Sequence, residues 1–234
     1  MRRFWREVTM GTAEGGWRVL LDGRPIRTPG GAAQVVPSAA LAEAMAQEWR
    51  DQGEEIDPAL FAFRDMADYA IDVAGPDRIA LVGQLLGYAE TDTLCYRADP
   101  DEALYRRQQE VWEPLLAAFE AREGVRLERV SGVLHRPQPE ASMARLRERL
   151  ETLDPLTLAA VNAMTSLAAS LSVALSALEH DADIDALWQA ASLEELWQAE
   201  LWGVDEQAEA RRARRAADFS AAAAFARLAR LHAA

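Results

Sequence analysis

Two carboxylates and two hydroxyls fall within four consecutive residues, Glu90-Thr91-Asp92-Thr93, and a cysteine follows at Cys95. Paired carboxylates can carry general acid–base chemistry, and a cysteine with a distant histidine can form a nucleophile pair. A plainer role is open to the same residues. A lone Cys between Leu94 and Tyr96 is ordinarily a small buried residue, and Asp92 and Thr93 can bond backbone groups where a helix ends. His135, His180 and His232 are isolated in sequence, so their spacing offers no zinc site. Asp181-Ala182-Asp183-Ile184-Asp185 begins like a calcium loop. Ala186 stands where such a loop turns on Gly, however, and Ser192 where it needs a bidentate Glu. Asp183 reads instead as a helix cap. The chain has no G-x-G-x-x-G, G-x-S-x-G or H-E-x-x-H. One enzymatic alternative is left, a small hydrolase or isomerase using Asp92, Cys95 and a histidine. No cofactor or metal is expected.

All 25 basic residues are arginine, so no mechanism that needs a lysine applies, whether a phosphate loop, a Schiff base or a lysine base. The net charge of −13 argues against nucleic-acid binding, which needs a basic face to neutralise phosphates. A single cysteine excludes an internal disulfide and fits a reducing compartment. Phe4-Trp5-Arg6-Glu7-Val8 follows Met1 too closely and is too polar for a signal-peptide core, so a cytoplasmic protein is expected. Leu156 to Leu178 carries no charge and is long enough to span a bilayer. It is rich in Ala, Ser and Thr and flanked by acids, so a buried helix is expected rather than membrane insertion.

Short strand-like runs open the chain at Phe4–Val8 and Trp17–Leu21, with a Gly-rich turn at Gly11 to Gly16 between them. Asp22-Gly23 is a two-residue hairpin signal leading into Arg24–Thr28, and Gln34–Val36 is a last short strand. Helices are predicted afterwards. Ser38 is the first N-cap, and helices follow at about 63–74, 77–90 and 102–123. Pro114 inside the last of these predicts a kink or an early break. A β excursion is expected over Val125–Val133. Helices then resume at 140–152, 155–178 with Asp154 as cap and Pro155 at the first position, 184–191, 193–202 and 205–231. The fold class is α+β: a small antiparallel β-rich domain, residues 1–37, followed by a larger mainly helical domain, residues 38–234.

Charge is unevenly placed. Residues 151–209 hold twelve acids and no basic residue, whereas residues 210–234 hold six arginines and one acid. A basic final helix can therefore lie against the acidic span before it. The remaining acids fit a solvated surface, a face for a protein partner, or a mimic that competes with nucleic acid for a basic protein. Trp197 shares a helical stripe with Leu193, Leu196, Leu201 and Val204 and is expected in a core. Trp202 lies on another face with Glu195 and Ala199. There it can anchor a partner or pack beneath the final helix.

Four segments carry a resemblance. They are Val19-Leu20-Leu21-Asp22-Gly23-Arg24-Pro25-Ile26-Arg27-Thr28-Pro29; Glu48-Trp49 with Gly53-Glu54-Glu55-Ile56-Asp57-Pro58; Thr91-Asp92-Thr93-Leu94-Cys95-Tyr96-Arg97-Ala98 with Gln108 and Trp112-Glu113-Pro114-Leu115-Leu116; and Leu193 through Gly203. Together and in this order the sequence resembles the ATP synthase assembly chaperones that bind the α subunit of the catalytic sector. Arg27 stands where that family often has Lys. The resemblance implies a β-rich amino-terminal domain, a helical remainder and a non-enzymatic role: holding the unassembled α subunit and yielding it to the β subunit. It also implies a client surface at Glu194, Glu195, Gln198, Glu200 and Trp202, with Glu195 and Glu200 pairing with client cations and Trp202 as anchor.

Overall fold

The computed structural model describes residues 1–132, 135–203 and 205–231. The molecule is α+β, with an antiparallel three-stranded sheet at the amino terminus and helices thereafter. Strands β1 (Val8–Ala13), β2 (Gly16–Leu21) and β3 (Arg24–Pro25) pair in that order. The helices are α1 (Ala39–Arg50), α2 (Ala62–Tyr69, running on into a π turn at Ala70–Ala74), α3 (Arg78–Glu90), α4 (Ala103–Glu123), α5 (Glu140–Glu151), α6 (Pro155–Ala168), α7 (Leu171–Ser176), α8 (Ile184–Ala191), α9 (Leu193–Trp202) and α10 (Glu206–Ala229). A two-residue strand β4 (Tyr96–Arg97) pairs in parallel with β5 (Val130–Ser131). The chain divides into two compact units. One is built from Met1–Arg78, Asp154–Ala160 and the residues from Ala221 onward, the other from Ile79–Leu153 and Val161–Ser220.

In the first unit the β1–β2 register pairs Val8 with Leu21 and Ala13 with Gly16, so the first strand begins later than predicted and runs through Gly11. Asp22 explains the shift. Its carboxylate accepts from the amides of Arg6 and Glu7, at 3.0 and 2.8 Å, and so binds the preceding residues as a loop rather than a strand. Asp22 and Gly23 both have positive φ, 49° and 76°, as a primed two-residue hairpin requires. Val36 makes a single bridge to Trp17 in place of the short strand expected at Gln34–Val36. Helix α1 is capped by Ser38, whose hydroxyl accepts from Leu41 N at 3.0 Å. It buries Leu41, Ala42, Met45, Ala46 and Trp49. Trp49 then joins an aromatic chain, with its ring 4.9 Å from Trp5 and 4.6 Å from Phe61.

In the second unit α4 is the main buried rod. Trp112, Leu116 and Phe119 are essentially sealed from solvent. Pro114 does not break the helix, the second of the two outcomes its position predicts. It lies on the exposed side, where one lost backbone bond is outweighed by the burial of the opposite stripe. The β excursion expected over Val125–Val133 reduces to Val130–Ser131 among the described residues, and Val133 lies outside them. The helix expected over 155–178 is broken: α6 stops at Ala168, Ala169 turns to φ 49°, and Ser170 caps α7. The break has a cause distant in sequence. Asp92 is completely buried and accepts from Ser170 Oγ at 2.7 Å, Ser172 N at 2.9 Å and Leu94 N at 3.1 Å, while Thr93 N and Oγ1 both donate to the Ala169 carbonyl. Among the described residues no helix is long and apolar enough to cross a membrane.

Candidate functional site

The segment expected to meet a client is α9, and its first turn is held from below. Gln108 on α4 is fully buried. Its side-chain carbonyl accepts from Ala98 N at 2.8 Å, and its amide donates to Glu194 Oε1 at 2.7 Å. One turn further along α4, Trp112 Nε1 donates to the Ala190 carbonyl at 2.7 Å, fixing the end of α8 from which α9 starts. Two of the segments that carry the resemblance thus meet at Gln108 and Glu194. Glu194 and Glu195 sit in the first turn of α9, where carboxylates complement the helix dipole.

Glu195 has an internal partner: Arg215 Nη1 lies 2.9 Å from its carboxylate. Arg215 also donates to the Leu167 carbonyl at 2.7 Å and stands over the Trp188 ring at 5.4 Å. The expected basic helix against an acidic span is realised at this pair. Gln198, Glu200, Leu201 and Trp202 face outward, with Trp202 79 % exposed. Trp202 is therefore not packed beneath the final helix. With Glu195 and Gln198 it lines a groove of about 390 Å³ whose far wall carries Glu209, Arg211 and Arg212. Trp197, expected in a core, is only partly covered. It borders a smaller recess with Leu196 and Glu200, while Leu201 of its stripe is exposed and Val204 lies outside the described residues. Among the described residues of that stripe only Leu193 is buried.

The structure does not bring Asp92, Cys95 and a histidine together as a nucleophile site. Cys95 is sealed from solvent, and burial, with Asp92's charge added, pushes its thiol far above the usual range. His135 turns elsewhere: Nδ1 lies 3.0 Å from the Tyr96 hydroxyl and Nε2 lies 3.5 Å from Glu90. His180 is exposed, and His232 lies outside the described residues. Asp183 caps α8 by accepting from Ala186 N at 2.9 Å. Among the described residues no three His, Cys, Asp or Glu side chains converge as a metal site.

Sequence reasoning missed a second concavity, a groove of about 730 Å³ in the amino-terminal unit. Phe4, Trp5, the turn from Asp22 to Pro29, Trp49, Arg64 and Asp68 line it. The signal was present as the run Val19–Pro29 and the pair Glu48-Trp49, both motifs that no local rule assigned to a cavity.

Comparison with known proteins places these features in one family. Residues 2–120 match the family described as ATP12 chaperone protein. The matched segment takes in the amino-terminal groove and ends before α9. The crystal structure of Atp12 from Paracoccus denitrificans is 38 % identical with a TM-score of 0.91, covering 98 % of both chains. The Atu1473 protein of Agrobacterium tumefaciens is 39 % identical with a TM-score of 0.92, over 97 % of this chain and 85 % of that one. The mitochondrial protein atp12 of Schizosaccharomyces pombe is 28 % identical over 190 residues, 76 % of this chain. The alignment spans 65 % of that longer relative. The chain belongs to the ATP12 chaperone family.

Proposed function

We propose that this chaperone acts in ATP synthase assembly by binding the unassembled α subunit, covering the flank that will meet the β subunit, and releasing it when β arrives. It works by binding alone, without a reaction of its own and without a cofactor. Family membership supports the reading. So does the exposed Trp202 beside Leu201, Gln198 and Glu200, since an aromatic anchor within a polar rim suits a contact that must be both specific and reversible. The carrying observation is that Trp202 stands at the open end of a helix whose first turn is tied down by Gln108 and Arg215. Gln198, Glu200 and Trp202 are the direct contacts in this reading. Glu194 holds α9 in place, and Glu195 is shared between Arg215 and the client.

The test mixes purified chain with refolding α subunit and follows light scattering and co-elution without ATP. Suppressed aggregation and a stoichiometric complex are expected. A folded Glu200→Arg, Trp202→Ala variant should lose capture. Undiminished capture by that variant removes the assigned surface, and indifference to α subunit removes the function.

A further inference from the structure

The amino-terminal sheet has one long open edge. Strand β2 is flanked by β1 on one side and by β3 and the Val36 bridge on the other. On its outer side β1 has no strand or bridge among the described residues. The ladder shows which backbone groups face outward. The Glu7 carbonyl accepts from Asp22 N, whereas Trp17 and Val19 direct their backbone bonds to Val36 and Ile26, away from β1. Bonded and non-bonded pairs alternate along an antiparallel ladder. Thr9, Gly11 and Ala13 therefore bond β2, and Val8, Met10 and Thr12 turn their N–H and C=O groups outward.

Of these outward groups only the Val8 carbonyl has a protein partner among the described residues. Arg50 Nη2 reaches it at 3.4 Å, a long contact from a guanidinium whose main hold is Glu43 at 2.5 Å. Thr12 is exposed, and Val8 and Met10 are half-buried. Natural sheets guard such an edge with lysine, proline or a bulge. Val8–Ala13 has no charge and no proline, and its register with β2 runs without a bulge. An edge of this kind is a template for another strand.

The charges at its two ends select which strand. Arg6 and Glu14 flank β1, both are exposed, and neither has an ion pair among the described residues. A second copy laid antiparallel about a two-fold axis through Met10 sets Met10 against its counterpart and Val8 against Thr12. Glu14 then falls opposite Arg6 at both ends of the pairing. Each outward residue exchanges its backbone bonds with the copy, and unlike charges face each other across the strands. Sliding the copies by two residues keeps the bonding groups facing but sets Glu14 against Val8 or Phe4, and the ion pairs are lost.

We infer that the outer edge of β1 is a homodimer interface, in which β1 pairs with β1 of a second copy about Met10 and the two sheets join into one. The interface uses no residue of α9 and does not rest on the client proposed above.

Sedimentation of the intact chain from about 5 to about 500 µM should show a reversible monomer–dimer equilibrium. Amide exchange, followed by NMR, should slow at Met10 and Thr12 as the concentration rises. Thr12→Pro removes an outward N–H and leaves the bonds to β2 in place, so it should be monomeric with an unchanged circular dichroism spectrum. Arg6→Glu and Glu14→Arg change exposed side chains and set like charges face to face. Each should weaken self-association about fivefold or more. Mixed in equal amounts, these two variants should form a heterodimer at least as tight as the wild-type pair, because every facing pair is again of opposite sign. If Thr12→Pro does not fold, the charge variants decide alone. Trp202→Ala should leave the equilibrium unchanged. The inference is overturned by a monomer throughout that range, by a dimer that a folded Thr12→Pro variant keeps, by unchanged exchange at Met10 and Thr12, or by a mixture of the charge variants that associates no better than either alone. Loss of the dimer in Trp202→Ala would place the contact on α9 and overturn it too.

Discussion

The carboxylate of Asp92 lies inside the interruption between α6 and α7, 2.7 Å from Ser170 Oγ, although 78 residues separate the two in sequence. One side chain therefore caps a 3-10 turn through Leu94 N and supplies the acceptor around which a distant helix restarts. What reads as a cluster of catalytic groups works as a structural clasp.

Replacing Asp92 with Ala leaves Leu94 N, Ser172 N and the Ser170 hydroxyl buried without their acceptor. A loss of about 2–4 kcal/mol is expected by urea unfolding. Asp92→Asn should recover only part of it, because its amide can present one acceptor oxygen where the site uses two. Wild-type stability in Asp92→Ala would show that the clasp is dispensable.

Gly16 follows the turn between β1 and β2 with φ 151°, and a Cβ there would lie 2.1 Å from the Val36 carbonyl oxygen. That oxygen accepts from Trp17 N at 2.8 Å. Gly16→Ala must push Val36 away and lose the bridge. A cost of roughly 2–4 kcal/mol and a lowered Tm are expected. Gly15→Ala makes a useful control: it shares a positive φ but meets nothing within 4 Å, so it should cost about 1 kcal/mol.

Glu48 on α1 accepts from Phe63 N at 2.6 Å and Arg64 N at 2.9 Å, at the first turn of α2. Burial nonetheless pushes its carboxyl up to about 7, from an ordinary 4.5. The folded state thus holds this proton more tightly than the unfolded chain. The stability this group lends is complete below about pH 4.5 and is lost as the pH rises through about 7. Glu48→Gln does not titrate. Its stability relative to wild type should climb by about 1–3 kcal/mol between pH 4.5 and 8, measured by unfolding both proteins across that range. A flat difference would mean that the two amides keep the carboxylate charged throughout.

Features set within a few residues were legible in the sequence. Ser38, Asp154 and Asp183 cap the helices they precede, Asp22-Gly23 turns the hairpin, and Pro155 opens α6. Each depends on a side chain meeting its own neighbouring backbone. Features decided by distant partners were not. Nothing near Ala169 announces a break, because the acceptor that stabilises it comes from Asp92. The carboxylates of α9 are named as a client surface only by the resemblance. That Glu194 is tied to Gln108 and Glu195 to Arg215 required the packing of α4 and α10 against α9. The amino-terminal groove was hidden for the same reason, since Phe4, Ile26, Gln34 and Trp49 belong to four separate stretches of chain.

The bareness of Trp202 has a practical use. An indole bathed in water emits at longer wavelength than the shielded indoles of Trp5 and Trp112, and red-edge excitation selects it. Occupancy of the surface proposed on α9 would then be followed in real time by a blue shift in its glow, with no dye attached to either protein.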